Sequence, residues 1–197
     1  MLDLPQSTYF GRIIAKERVY AAAGADAASK DAFVAQVERI RWLHKISPTT
    51  VNIAPGEQVE EIQVIEVALT VPVPDKRILP TILKGIPYKI IFVLTHKGKT
   101  TYAAYFDPKT CFTSEQPPRL IGNDPDSVWE NIIIQLRGAA IEPGKTLAEQ
   151  IADDAARASL RRQIEHLETQ ARKENQPRRK WDLVENVKGL KAKLEET

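Results

Sequence analysis

Four glutamates crowd one stretch of the chain: Glu57, Glu60, Glu61 and Glu66. A metal-dependent nuclease sets a carboxylate on one strand and an E-x-K pair on its neighbour, to hold Mg2+ and polarise a water molecule. Glu61 and Glu66 are the residues such a centre would draw on here. Its second half is missing, because Glu66 runs on into Val67-Ala68-Leu69 with no lysine two residues along. A solvated strand start accounts for the cluster more simply. The sequence therefore assigns no catalytic residue and no metal ligand, and keeps Glu61 and Glu66 only as a metal-dependent nuclease alternative.

Other catalytic patterns are absent. His44, His96 and His166 are far apart and form no H-x-x-x-H spacing, and Cys111 is the single cysteine, so neither a zinc centre nor an internal disulfide is expected. No G-x-S-x-G elbow accompanies His44 and Ser47. The glycines are too scattered for a phosphate-cradling loop, which disfavours ATP binding by such a loop, and no cofactor is expected.

Positive charge gathers near the end of the chain. Arg172, Lys173, Arg178, Arg179 and Lys180 face the single Glu174 within nine residues, a pattern suited to phosphate contact. A solvated tip that keeps a helical tail soluble is the alternative. Lys45 adjoins Trp42 and, with Lys16, Arg39 and Arg41, could set a basic surface beside an aromatic ring, as nucleic-acid binders do. Ordinary packing of Trp42 is the simpler account. The whole chain carries 28 Lys and Arg against 26 Asp and Glu, so nucleic acid would be met by a local patch and not by a basic coat.

The elements that must position these residues follow from hydrophobic spacing. Phe33, Val37 and Ile40 recur as on one helix face, which predicts a helix over 29–43 with Ser29 as its cap. Ser47-Pro48 ends it. A strand is expected at 50–53, and a longer one at 60–71 whose two faces both turn apolar, as in a covered central strand. Ile78, Leu79, Ile82 and Leu83 predict a helix over 78–85 closed by Gly85. Strands at 88–95 and 100–106 flank a four-residue turn, 96–99. Residues 107–125 read as loop, and Asp126 or Ser127 opens a helix to about residue 138 with Val128, Ile132 and Leu136 inward.

Pro143-Gly144 separates this domain, 1–144, from a tail, 145–197, of different texture. Leu147, Ile151 and Ala155 recur every fourth residue. Leu160, Ile164, Leu167 and Ala171 step by four, three and four, as do Leu183, Val187, Leu190 and Leu194 after a break at 175–178. Such seams belong to coiled coils, and two of them joined by a short break fold back as an antiparallel hairpin. Each seam spans about two heptads, too little for a helix that stands alone. The fold class is thus α+β, a small mixed sheet with packed helices followed by a coiled-coil-like helical hairpin. Trp42, Trp181, Leu183, Val187, Leu190 and Leu194 are the expected partner-binding positions, since aromatic anchors and an apolar helix face carry interface energy. A homodimer is left open. No window approaches the roughly 20 apolar residues of a membrane span, and the N-terminus has no basic stretch leading into an apolar one, so a cytoplasmic protein is expected.

Four ordered segments carry a resemblance: FGRIIAK (10–16), VERIRWLHKISPTTVNI (37–53), EIQVIEV (61–67) and IPYKIIF (86–92). With the tail RKENQPRRK (172–180), they resemble the bacterial family called domain of unknown function 4391, which departs from this chain in having proline at the place of Lys89. The family offers no catalytic residues to carry over. Its members are commonly encoded beside DNA methyltransferases and helicases of restriction or anti-phage loci. The resemblance therefore implies a defence-associated accessory protein. The leading expectation is a non-catalytic subunit of a DNA-directed defence complex whose α+β domain docks on a methyltransferase or helicase subunit, with the hairpin either extending that interface or touching DNA. A stand-alone DNA-binding module is the further alternative.

Overall fold

A computed structural model describes residues 2–196. The chain divides after Ala139 into two compact units. The first is built on a six-stranded sheet whose spatial order follows the chain. Its strands are β1 (Tyr9–Ile14), β2 (Val37–Ile46), β3 (Ile62–Leu69), β4 (Lys89–His96), β5 (Lys99–Asp107) and β6 (Thr110–Ser114). Neighbours are antiparallel except β3 and β4, which are parallel. A parallel pair cannot be joined by a tight turn, and α4 (Ile78–Gly85) makes the crossover.

Register places Ile65, Phe92 and Ala103 in one row across β3, β4 and β5. That row joins a core with Phe33 from α2 (Ala27–Gln36), Val19 from α1 (Lys16–Ala23), and Ile78 and Ile82 from α4. Tyr102 and Ala104 point to the opposite face, and α5 (Pro125–Arg137) packs on β5 and β6 with Val128, Trp129, Ile132 and Ile133 buried. Every residue of β3 is buried except the half-buried Glu66, as expected of a strand covered on both faces.

Several expectations change. The predicted helix over 29–43 stops at Gln36, and residues 37–46 form β2. Phe33, Val37 and Ile40 do share one core, but the chain passes from helix to strand with no linker. Residues 37–46 pair with β1 on one side and β3 on the other, and that pairing overrides a local spacing that fits either structure. The helix cap is Asp26, whose carboxylate accepts from Ser29 N, so Ser29 is capped and does not cap. The predicted strand at 50–53 is instead a short helix, α3 (Pro48–Val51), with proline in its first turn and Asn52 ending it at φ 54°. The hairpin turn has two residues, Lys97 and Gly98, since His96 pairs with Lys99. Both have positive φ, as that turn requires. β6 lies in the stretch read as loop, and α5 starts at Pro125 behind an Asp124 cap.

The second unit holds α6 (Leu147–Lys173) and α7 (Pro177–Glu196), which pack together as a helical pair. Thr146 caps α6: its N–H donates to Glu149 Oε2 at 2.8 Å and its hydroxyl accepts from Glu149 N at 3.3 Å. Ile164 and Ala171 on α6 and Val187 on α7 are buried along the seam, and Lys191 Nζ reaches Glu168 Oε1 at 2.8 Å across it. Ala155 is exposed, so the seam does not run the length of α6.

Candidate nucleic-acid interface

The hairpin bend brings five cations together. Arg172 and Lys173 close α6, residues 174–176 make the turn, and Arg178, Arg179 and Lys180 fill the first turn of α7. The two helix ends treat this charge differently. At the C-terminus of α6 the helix dipole is negative and favours Arg172 and Lys173. At the N-terminus of α7 it is positive. Acids belong there, yet that turn holds no acid and three cations, each costing the helix a few tenths of a kcal/mol or more. Among the described residues Lys173, Arg178, Arg179 and Lys180 have no ion-pair partner, while Arg172 lies 3.9 Å from Glu168. The free backbone N–H groups of a helix start add to a field that suits phosphate oxygens.

A groove of about 420 Å³ runs from the bend along one side of the pair. Ala171, Val184 and Val187 line it together with Arg172, Lys180, Lys188 and Lys191. Lys188 is paired with Glu185 at 2.7 Å. Glu168 answers Arg172 and Lys191, and its hydrogen bond from Lys191 holds its carboxyl below the ordinary range. Free charge is therefore concentrated at the bend and falls along the groove. Lys188 and Lys191 were not among the sequence candidates. Their spacing from Lys180, by eight and then three residues on α7, is the signal that would have found them.

The partner-binding candidates separate. Leu183, Val187, Leu190 and Leu194 lie on the side of α7 that packs on α6, with Val187 buried and the leucines half-buried. Trp181 is 64% exposed and adjoins Lys180. Trp42, on β2, stacks on Phe10 with ring centres 4.3 Å apart, and its Nε1 donates to His44 O at 3.0 Å, so its ring is engaged within the sheet.

The first unit does not gather the other candidates. Lys45 pairs with Glu61, which also accepts from Gln63. Lys16 donates to Val37 O, and Arg41 Nε lies 3.3 Å from Glu66 Oε2. Arg39 and Arg41 share a strand parity that the bulge before His44 puts opposite Lys45, so they do not form one patch with it. Glu61 and Glu66 are five residues apart on extended chain and point to opposite faces, so no single cation can bridge them. Among the described residues no group of three or more His, Cys, Asp or Glu is placed to hold a metal ion. Burial pushes the half-buried Cys111 thiol up, the reverse of what an activated nucleophile needs.

Residues 2–109 match the family described as Domain of unknown function (DUF4391). The chain belongs to that family. The match runs from β1 to the end of β5, so in this DUF4391 protein β6, α5 and the helical hairpin lie beyond the matched range. No curated protein and no solved structure matches the chain. Among the described residues no helix is long and apolar enough to cross a membrane.

Proposed function

We propose that this protein is a non-catalytic accessory subunit of a bacterial DNA-directed defence complex, working in the cytoplasm and touching the phosphate backbone of DNA with its hairpin bend. The observation that carries this reading is the first turn of α7, where three cations stand at the helix end that disfavours them, without ionic partners among the described residues. Charge that weakens its own helix is explained when an outside anion meets it. The balanced charge of the whole chain fits a local contact in place of a coat. The partner class, a methyltransferase or helicase subunit, rests on the family resemblance, and the exposed Trp181 beside the cations is the anchor we assign to it.

The test is the salt dependence of duplex DNA binding by the full chain, read by fluorescence anisotropy. Each phosphate contact contributes about 0.9 to the slope of log K against log salt, so Arg178→Ala, Arg179→Ala and Lys180→Ala together should lower the slope by about three. An unchanged slope removes the bend from the reading. Mg2+-dependent plasmid cleavage that disappears in Glu66→Ala would remove the non-catalytic part. Co-purification of the tagged chain from its native locus, with Trp181→Ala as comparison, identifies the protein partner.

A further inference from the structure

The groove of about 420 Å³ beside the helical pair joins an apolar floor to a rim that is mostly of one charge. Ala171 of α6 and Val184 and Val187 of α7 make the floor. Ala171 and Val187 are each 7% exposed, whereas Val184 is 39% exposed, so the floor opens to solvent at Val184. Ala171 presents only a methyl group on the α6 side, and that keeps the groove from closing. On α7 the lining is Lys180, Val184, Val187, Lys188 and Lys191. These residues step by three or four, which puts them on one stripe along about 17 Å of helix, or about three turns. Trp181, exposed and three residues before Val184, extends the apolar part of that stripe.

The rim sets Arg172, Lys180, Lys188 and Lys191 against one acid, Glu168. Lys180 has no ion pair among the described residues. Lys188 and Lys191 are exposed and meet Glu185 and Glu168 at 2.7 Å and 2.8 Å. Surface pairs of this kind contribute little, so carboxylates from outside can replace them. A second copy is a poor occupant, because a two-fold contact sets the stripe against itself, cation against cation. Nucleic acid would meet the cations and leave the valine floor without a counterpart. A helix with one apolar face and acidic flanks answers both.

We propose that the groove between α6 and α7 docks an amphipathic helix of a partner protein, its apolar side chains on Val184 and Val187 and its carboxylates at Lys180, Lys188 and Lys191. The proposal rests on the reading of this chain as a partner-binding subunit and names the partner's contact element. About three turns of stripe match a helix that anchors with residues spaced by three, four and seven.

Fluorescence anisotropy with the full chain tests it. The probe is a labelled three-heptad peptide with leucine at a and d and glutamate at e and g, whose own flanks repel self-pairing. It should bind saturably, and a counterpart with lysine at e and g should bind at least about tenfold more weakly. Val184→Gln should weaken the acidic peptide about tenfold with the helical signal at 222 nm unchanged. Lys188→Gln with Lys191→Gln should weaken it by a similar factor and flatten its salt dependence. If the loss of the Lys191–Glu168 pair loosens the hairpin, Val184→Gln decides alone. Arg178→Ala with Arg179→Ala lies outside the groove lining and should leave peptide binding intact while lowering the DNA salt slope, so failure here and failure of the bend reading are distinguishable. No saturable binding of the acidic peptide, equal binding of the lysine peptide, or an affinity untouched by Val184→Gln overturns the proposal. Duplex DNA binding that falls in Val184→Gln overturns it in favour of nucleic acid, and a sedimenting dimer that Val184→Gln dissociates overturns it in favour of a second copy.

Discussion

If the first turn of α7 is cationic for the sake of an outside anion, reversing its charge should strengthen the helix while abolishing the contact. Arg179→Glu with Lys180→Glu is the chosen perturbation. At an exposed helix start a cation costs, and an anion contributes, about 0.3 kcal/mol, so two reversals give about 1.2 kcal/mol. Asp182, three residues beyond Arg179, sets a partial offset. One attraction becomes one repulsion there, about 0.4 kcal/mol in all, and Lys180 has Leu183 and Val184 at the equivalent positions and brings no offset. The net is a gain of about 0.8 kcal/mol, a rise of a few degrees in the melting temperature of the helical signal at low salt, screened away at high salt. In the same protein the DNA salt slope should fall by about 1.8. Circular dichroism at 222 nm and anisotropy read the two effects. Lower stability would mean that these cations serve the fold, and the argument for an external phosphate would lose its basis. Higher stability with unchanged DNA binding would place the contact elsewhere.

Asp126 pins the segment before β3: its carboxylate accepts from the backbone N–H groups of Glu57 at 2.6 Å and Val59 at 3.0 Å. Asp126→Ala should cost about 1–3 kcal/mol in urea unfolding, and Gly56→Ala should also destabilise, because its Cβ would meet Val59 O at 2.4 Å and Asp126 Oδ2 at 2.5 Å. Glu142 is held at about 2 by its hydrogen bonds from Lys145 and then Gln150. A carboxyl lowered in the folded state stabilises above its ordinary titration range and loses that effect as the pH falls towards about 2. The unfolding midpoints of the native chain and Glu142→Gln should therefore differ at neutral pH and converge between about pH 4.5 and 2. At the β4–β5 turn, Lys97 has φ 46°, so Lys97→Asn should raise the melting temperature, by about 0.5 kcal/mol of stability.

The two parts of the chain differ in how much of them is legible without a structure. The hairpin was readable because its information is local: a heptad spacing and a proline-containing break each show within a few neighbouring residues, whereas the Thr146–Glu149 cap was seen only in the structure. The same is true of α4, with its apolar run, and of the β4–β5 hairpin. Only tertiary structure decided residues 37–46. Their apolar spacing satisfies a helix as well as a strand, and pairing with β1 and β3 made the choice. The candidate residues follow the same division. That Arg172, Lys173, Arg178, Arg179 and Lys180 share one bend follows from their closeness in sequence. That Glu61 and Glu66 point apart was fixed by strand parity once β3 was in place. A cavity of about 470 Å³ beside Tyr88, between α4 and the end of β5, has no sequence signature. Its walls come from α4, β4 and β5, and only the parallel crossover from β3 to β4 sets them side by side. Contacts between neighbours in sequence are encoded in spacing, and contacts between distant residues exist only after the sheet has chosen its partners.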